Sequence, residues 1–87
     1  MTHARINTLT VEIIEGLPKG FSVSVSRHSG LGTTMYDIVS LHPKSDPLNY
    51  GIFPRSIAIH ELKLLGLTPR RAVELVRRLD LGEDNLN

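Results

Sequence analysis

Apolar and polar residues alternate through the first half of the chain. From Thr8 to Glu15, leucine, valine and isoleucine occupy every second position, and residues 21–28 repeat the same period-two pattern. A third run, rich in β-branched and aromatic residues, extends from Thr33 to Leu41. Because this period places successive side chains on opposite faces of a sheet, the three runs predict three β-strands.

The glycine-containing segment Ser29–Gly32 predicts a hairpin between the second and third strands. With four residues in the loop, His28 would face Thr33 and Val25 would face Tyr36. Burial then predicts one core face, consisting of Phe21, Val23, Val25, Tyr36 and Ile38. The opposite face would be mixed in character, consisting of Ser22, Ser24, Ser26, His28, Met35, Asp37, Val39 and Leu41.

Residues 42–55 contain Pro43, Pro47 and Pro54 and are expected to form a loop, because proline resists regular structure. Loops of this length are uncommon in compact domains and are either functional or contain a short element. A short fourth strand around Tyr50–Phe53 is the alternative.

The pattern changes to a helical period after the loop. Residues 56–65 predict a helix because one stripe carries Ala58, Ile59, Leu62 and Leu65. Residues 56–60 also alternate, so a short strand is the alternative there. Gly66 is expected to end this helix.

The second helix, 68–80, has the clearest boundaries in the chain. Thr68 suits the N-cap, and Pro69 suits the first helical position, where its missing N–H costs nothing. At 100° per residue, its apolar side consists of Ala72, Val73, Leu75, Val76 and Leu79. Its other side consists of Arg70, Arg71, Glu74, Arg77 and Arg78. We expect Glu74 to pair with Arg70 and Arg78, and residues 82–87 to form a frayed tail.

These elements predict an α+β fold, in which a three-stranded or four-stranded antiparallel meander sheet packs against a C-terminal helix pair. The 87 residues are 40% apolar and 22% charged, which fits one small domain over residues 1–87. A chain this short has a thin core, so a homodimer or a partner would help to stabilise it.

Composition also limits the location and the chemistry. The chain has no cysteine, and no uninterrupted apolar stretch approaches 18 residues. We therefore expect a cytoplasmic protein with no disulfide, no thiolate metal site and no membrane span. The histidines, His3, His28, His42 and His60, match no metal-site spacing, so we expect neither a metal nor a cofactor.

Two surfaces are candidates for partner binding. The first is the arginine side of the second helix, and the second is the mixed sheet face with Met35, Asp37 and Val39 at its centre. We expect a non-catalytic module that occupies a macromolecular partner, most simply a protein, as a regulator, inhibitor or adaptor. The alternative is a nucleic-acid-binding protein that uses the two helices like a helix-turn-helix, although the net charge is only +1.

A small hydrolase ranks third. Ser24, Ser26, His28 and Asp37 would share the mixed sheet face, and they supply the groups of a catalytic triad. In the register above, Asp37 faces Ser24, and His28 lies two residue pairs away, about 13 Å. This separation exceeds hydrogen-bond reach, so we expect no enzyme.

Overall fold

Four antiparallel strands form one layer of the protein and two helices form the other. The computed structural model describes residues 5–12, 22–29, 32–42 and 45–84. The strands are β1 (Arg5–Glu12), β2 (Ser22–Ser29), β3 (Met35–His42) and β4 (Ser45–Phe53), and they are adjacent in the order β1-β2-β3-β4. The helices α1 (Arg55–Leu64) and α2 (Pro69–Asp80) follow. The predicted α+β fold is confirmed, with four strands.

The predicted loop over residues 42–55 is wrong, because most of it forms β4. This strand lies at the edge of the sheet, where one side of the backbone has no ladder partner and Pro47 can be accommodated. The pairing shifts between Val39↔Asn49 and Ile38↔Gly51, which leaves one additional residue in β4 as a β-bulge.

The first strand begins at Arg5 instead of Thr8. Its additional residues pair with the end of β2, with Asn7 opposite Arg27. Residues 13–15, the predicted end of this strand, lie outside the described residues.

The predicted hairpin register is wrong by two residues. His28 pairs with Met35 instead of Thr33, and Val25 pairs with Ile38 instead of Tyr36. Thr33 precedes β3, so the connection is longer than the four residues expected. A shift of two residues preserves the side-chain faces, because the period of a strand is two. The predicted core face is therefore confirmed for its described members, Val23, Val25, Tyr36 and Ile38.

Both helices pack on this inner face of the sheet. The core joins strand and helix residues, namely Leu9, Val23, Val25, Tyr36, Ile38, Ala58, Leu62, Leu67, Ala72, Leu75, Val76 and Leu79. α1 confirms the helix predicted for residues 56–65, and it starts one residue earlier, at Arg55. Neither helix in the described part of the chain is long and apolar enough to cross a membrane.

The boundaries of α2 match the prediction. The Thr68 hydroxyl oxygen accepts a hydrogen bond from the backbone N–H of Arg71 at 3.2 Å, and Pro69 occupies the first helical position. After the helix, the N–H of Glu83 donates to the carbonyl of Arg78 at 3.1 Å, and the N–H of Gly82 donates to that of Leu79 at 3.0 Å. These two bonds form a Schellman motif, which satisfies carbonyls at the end of the helix.

Gly51 allows the bulge in β4, and its replacement is the first prediction. Its φ is +119°, and an added Cβ would lie 3.3 Å from the Phe53 ring. We expect Gly51→Ala to lower the free energy of unfolding by about 1–3 kcal/mol, measured by urea denaturation. Gly32→Ala is the matched control, because Gly32 also has a positive φ but has open space around the Cβ position. An equal loss in the two variants would contradict the role of the Phe53 contact.

Candidate partner-binding surfaces

The two candidate surfaces lie on opposite sides of the molecule. The apolar side of α2 is buried on the inner face of the sheet, so its arginine side points away from the sheet. Met35, Asp37 and Val39 lie on the other sheet face, because they alternate with the buried Tyr36 and Ile38. The surfaces therefore do not combine into one site.

A charged cluster fixes the C-terminal end of α2. One carboxylate oxygen of Asp80 accepts hydrogen bonds from Arg27 Nε at 3.1 Å and from the Tyr36 hydroxyl. The other oxygen accepts from Arg55 Nε at 3.0 Å. Asp80 thereby connects α2 to β2, β3 and the first residue of α1.

These contacts shift two pKa values. Burial alone would raise the pKa of Asp80, but hydrogen bonds from Tyr36, Arg55 and Arg27 outweigh it and hold the pKa below its ordinary value. Burial raises the pKa of Tyr36, and its hydrogen bond to Asp80 adds to the increase. The carboxylate is therefore ionised and the phenol is protonated near neutral pH.

Sequence reasoning missed this cluster, because its members are far apart in the chain. One local signal was present. An acid in the last turn of a helix lies at the negative end of the macrodipole and requires compensation from cations elsewhere. Asp80 is such an acid, and Arg27 and Arg55 provide the compensation.

Asn7 anchors the same end of α2 from β1. Its buried side-chain amide donates to the backbone carbonyls of Leu79 at 2.9 Å and Glu83 at 2.8 Å. Glu83 also forms a two-pronged ion pair with Arg78, with nitrogen–oxygen distances of 3.0 and 3.1 Å. The prediction that the tail frays from Gly82 is therefore wrong for Glu83. Residues 85–87 lie outside the described part of the chain.

The predicted pairs of Glu74 with Arg70 and Arg78 do not form among the described residues. Arg78 pairs with Glu83 instead, because the turn after the helix brings both carboxylate oxygens to the guanidinium. The hydrogen bond from Arg78 lowers the pKa of the Glu83 carboxyl, and the same bond raises the pKa of Arg78.

The described arginine side chains fall into two groups. Those that form ion pairs are Arg27, Arg55 and Arg78. Those that are exposed and form no ion pair within the described residues are Arg70, Arg71 and Arg77. Of the predicted arginine surface, α2 therefore presents three free guanidinium groups and the exposed Glu74, whereas Arg78 has a structural partner.

Apolar side chains accompany these arginines. Val73, predicted on the buried side, is 45% exposed because it lies at the margin of the apolar stripe. Leu81, at the C-cap, is 74% exposed. At 100° per residue it lies on the same stripe as Arg70 and Arg77. We call the surface formed by Arg70, Arg71, Val73, Glu74, Arg77 and Leu81 the outer α2 surface.

The sheet face that points away from the helices is the second surface, and we call it the open sheet face. Its strand rows follow the pairing, with Ser26 between Thr8 and Asp37. The hydroxyls of Thr8 and Ser26 are 2.8 Å apart and hydrogen-bonded. Within the described ranges, no helix or strand lies over this face. Its predicted members are confirmed as sharing one face.

The corrected register changes the argument about catalysis. Asp37 faces Ser26, and His28 lies in the adjacent row, closer than the predicted 13 Å. However, Ser26 Oγ is bonded to Thr8, while His28 Nε2 and Asp37 Oδ1 are buried and have no hydrogen-bond partner among the described residues. Ser26, His28 and Asp37 form no hydrogen-bonded relay in this arrangement.

No metal-binding group is present among the residues that the structure describes, where three or more histidine, aspartate or glutamate side chains nowhere converge. Comparisons with protein-family models, curated proteins and solved structures found no match to this chain. Any function must therefore be argued from the residues themselves.

The second prediction concerns Asp80. We expect Asp80→Asn to lower the free energy of unfolding by about 1–2 kcal/mol at pH 7, because the paired side chain is only 30% exposed. The pKa of Asp80 is lowered in the folded state, so its stabilisation is complete above the unfolded pKa. It is lost as the pH falls through the folded pKa.

Urea denaturation at a series of pH values measures this effect. The difference between Asp80→Asn and the natural chain should disappear by about pH 2, where the carboxyl is protonated in both states. Glu74→Gln is the matched control, because Glu74 is exposed and unpaired among the described residues. A difference that persists at low pH would contradict a charge-based role for Asp80.

Proposed function

We propose that this chain is a non-catalytic binding module that occupies an acidic surface of a protein partner through the outer α2 surface. Such a module would act as a regulator, inhibitor or adaptor. The observation that carries the proposal is the division of the arginines. Three of them serve the fold, whereas Arg70, Arg71 and Arg77 are exposed without an ion pair in the described part of the chain.

A free guanidinium is suited to recognising a carboxylate. Its planar donors can form two parallel hydrogen bonds with one carboxylate, and arginine is enriched where proteins meet. Arg70 and Arg77 lie two turns apart on one side of α2, so they could contact neighbouring acidic groups of a partner.

Apolar exposure favours a protein over a polyanion as this partner. Val73 and Leu81 lie beside the arginines, and Ile57 and Leu64 of α1 are also exposed. A protein partner would remove this apolar area from water, whereas a phosphate backbone would not. Glu74 lies among the arginines and would repel phosphates.

Other properties support the remaining parts of the proposal. The open sheet face carries no hydrogen-bonded catalytic relay among its described residues, which supports a non-catalytic role. The absence of cysteine suits a reducing compartment, so we place this function in the cytoplasm.

The third prediction tests the outer α2 surface. The immobilised chain, incubated with an extract of its native host, should retain one protein at near-stoichiometric yield. The double variant Arg70→Glu and Arg77→Glu should reduce that yield at least about tenfold, because two attractive contacts become repulsive. An acid in the first turn of a helix is favourable, so Arg70→Glu should preserve α2.

Lys63→Glu is the matched control, since it makes the same charge change at an exposed position of α1. Equal recovery with the natural chain and the double variant would overturn the role assigned to α2. Cross-linking of the complex should locate the contact on an acidic region of the partner.

The second candidate function is nucleic-acid binding. The observation that favours it is the position of Arg70 and Arg71, which are exposed in the first turn of the second of two consecutive helices. Arg77 would add a third phosphate contact, whereas Arg78 is paired with Glu83.

The fourth prediction separates these functions by binding to generic duplex DNA across a salt series. We expect no measurable affinity at low salt for the natural chain, since the net charge is +1 and Glu74 interrupts the patch. Measurable affinity with a steep salt dependence, reduced in the double variant Arg70→Ala and Arg71→Ala, would instead establish the nucleic-acid function.

A further inference from the structure

We propose that the open sheet face is the interface of a homodimer, in which His28 of each copy pairs with Asp37 of the other. This inference concerns a different surface from the proposed function and goes beyond it. It begins from two polar atoms, His28 Nε2 and Asp37 Oδ1, which are buried without a hydrogen-bond partner among the described residues. Such atoms are rare in folded proteins, because burial removes the bond to water.

The two atoms are chemically complementary. An imidazole nitrogen can donate a hydrogen bond, and a carboxylate oxygen can accept it. They belong to adjacent rows of the same face, since His28 pairs with Met35, two residues before Asp37. In a two-fold symmetric interface, residue i of one copy contacts residue j of the other, and the reverse also holds. Each copy therefore offers both halves of two identical pairs.

Charge selects this face over the outer α2 surface for self-association. Among the described side chains of the open sheet face, His28 and Asp37 are the only titratable groups, and the rest are hydroxyl, amide or apolar. The outer α2 surface presents three unpaired arginines, which would repel those of a second copy.

Side-chain size also suits close sheet packing. Small hydroxyl side chains occupy the centre of the face, where Thr8 and Thr10 are hydrogen-bonded to Ser26 and Ser24. Their mutual bonds lower the cost of removing them from water. The large apolar residues Ile6 and Ile52, 57% and 53% exposed, occupy the two edge strands and would be covered by a second sheet.

The face is large enough for a specific interface. Four strands about 4.8 Å apart and about 26 Å long give roughly 500 Å² in projection per copy, or about 1,000 Å² for two copies. This area is near the lower bound of about 1,000 Å² for specific association. We therefore expect a reversible dimer whose population depends on concentration.

The fifth prediction uses complementary single variants. Light scattering coupled to size exclusion should give twice the 9.7 kDa of one chain for the natural protein at high concentration. His28→Asp would place like charges in contact, and Asp37→His would remove both acceptors. Each variant alone should therefore be a monomer. An equal mixture should restore the dimer, because each cross-copy contact again joins an imidazole and a carboxylate.

This mixture distinguishes a contact between copies from one within a chain, because mixing cannot restore an intramolecular pair. His60→Asp is the matched control, because it makes the same change on the exposed surface of α1 and should leave the dimer unchanged. Circular dichroism should confirm that every variant is folded. If His28→Asp unfolds the chain, Val39→Lys on the same face should give a folded monomer.

Three results would overturn the proposal. One is a monomer for the natural chain at all concentrations up to the millimolar range. Another is a dimer unaffected by His28→Asp or Val39→Lys, as expected if the β1 edges pair instead. The third is a mixture of folded single variants that remains monomeric.

Discussion

Packing of α2 against one face of the four-stranded sheet is the constraint on which the rest of the structure depends. Ala72, Leu75, Val76 and Leu79 are buried on the inner face, and this burial determines which side of the helix meets water. It also leaves the other face of the sheet without a helix in the described part of the chain. Both candidate surfaces follow from this single layer contact.

Apolar packing alone allows a helix to slide or rotate, whereas hydrogen bonds have defined directions. At the C-terminal end of α2, Asn7 holds two backbone carbonyls and Asp80 holds two guanidinium groups. These bonds connect the helix to β1, to β2 and to the start of α1. They fix its rotation, and therefore the direction in which Arg70 and Arg77 point.

Local signals predicted the parts of the fold that local physics determines. Thr68 and Pro69 mark the start of α2, and period two assigned the correct faces to β2 and β3 despite the wrong register. The register depended on loop length, which alternation does not specify. β4 was missed because Pro47 was weighed as a strand breaker, and its tolerance at a sheet edge depends on strand order.

The candidate sites were predictable to the same extent. The helical period located the arginine side of α2, but it could not determine which arginines would be used by the fold. Arg78 lies four residues from Glu74 and five from Glu83, and the turn after α2 decides in favour of Glu83. The unpaired His28 and Asp37 atoms likewise depend on cross-strand neighbours and on what lies above the sheet.

The two-layer arrangement also relates the two proposals to each other. If two copies join through their open sheet faces, the helix layers lie on the outside, and the two outer α2 surfaces face away from each other. One copy could then occupy one partner while the second remains available. Avidity would arise only for partners that present two acidic surfaces within reach of both ends, because simultaneous binding requires matching geometry. The dimer would therefore favour assembled or repeated partners over isolated ones.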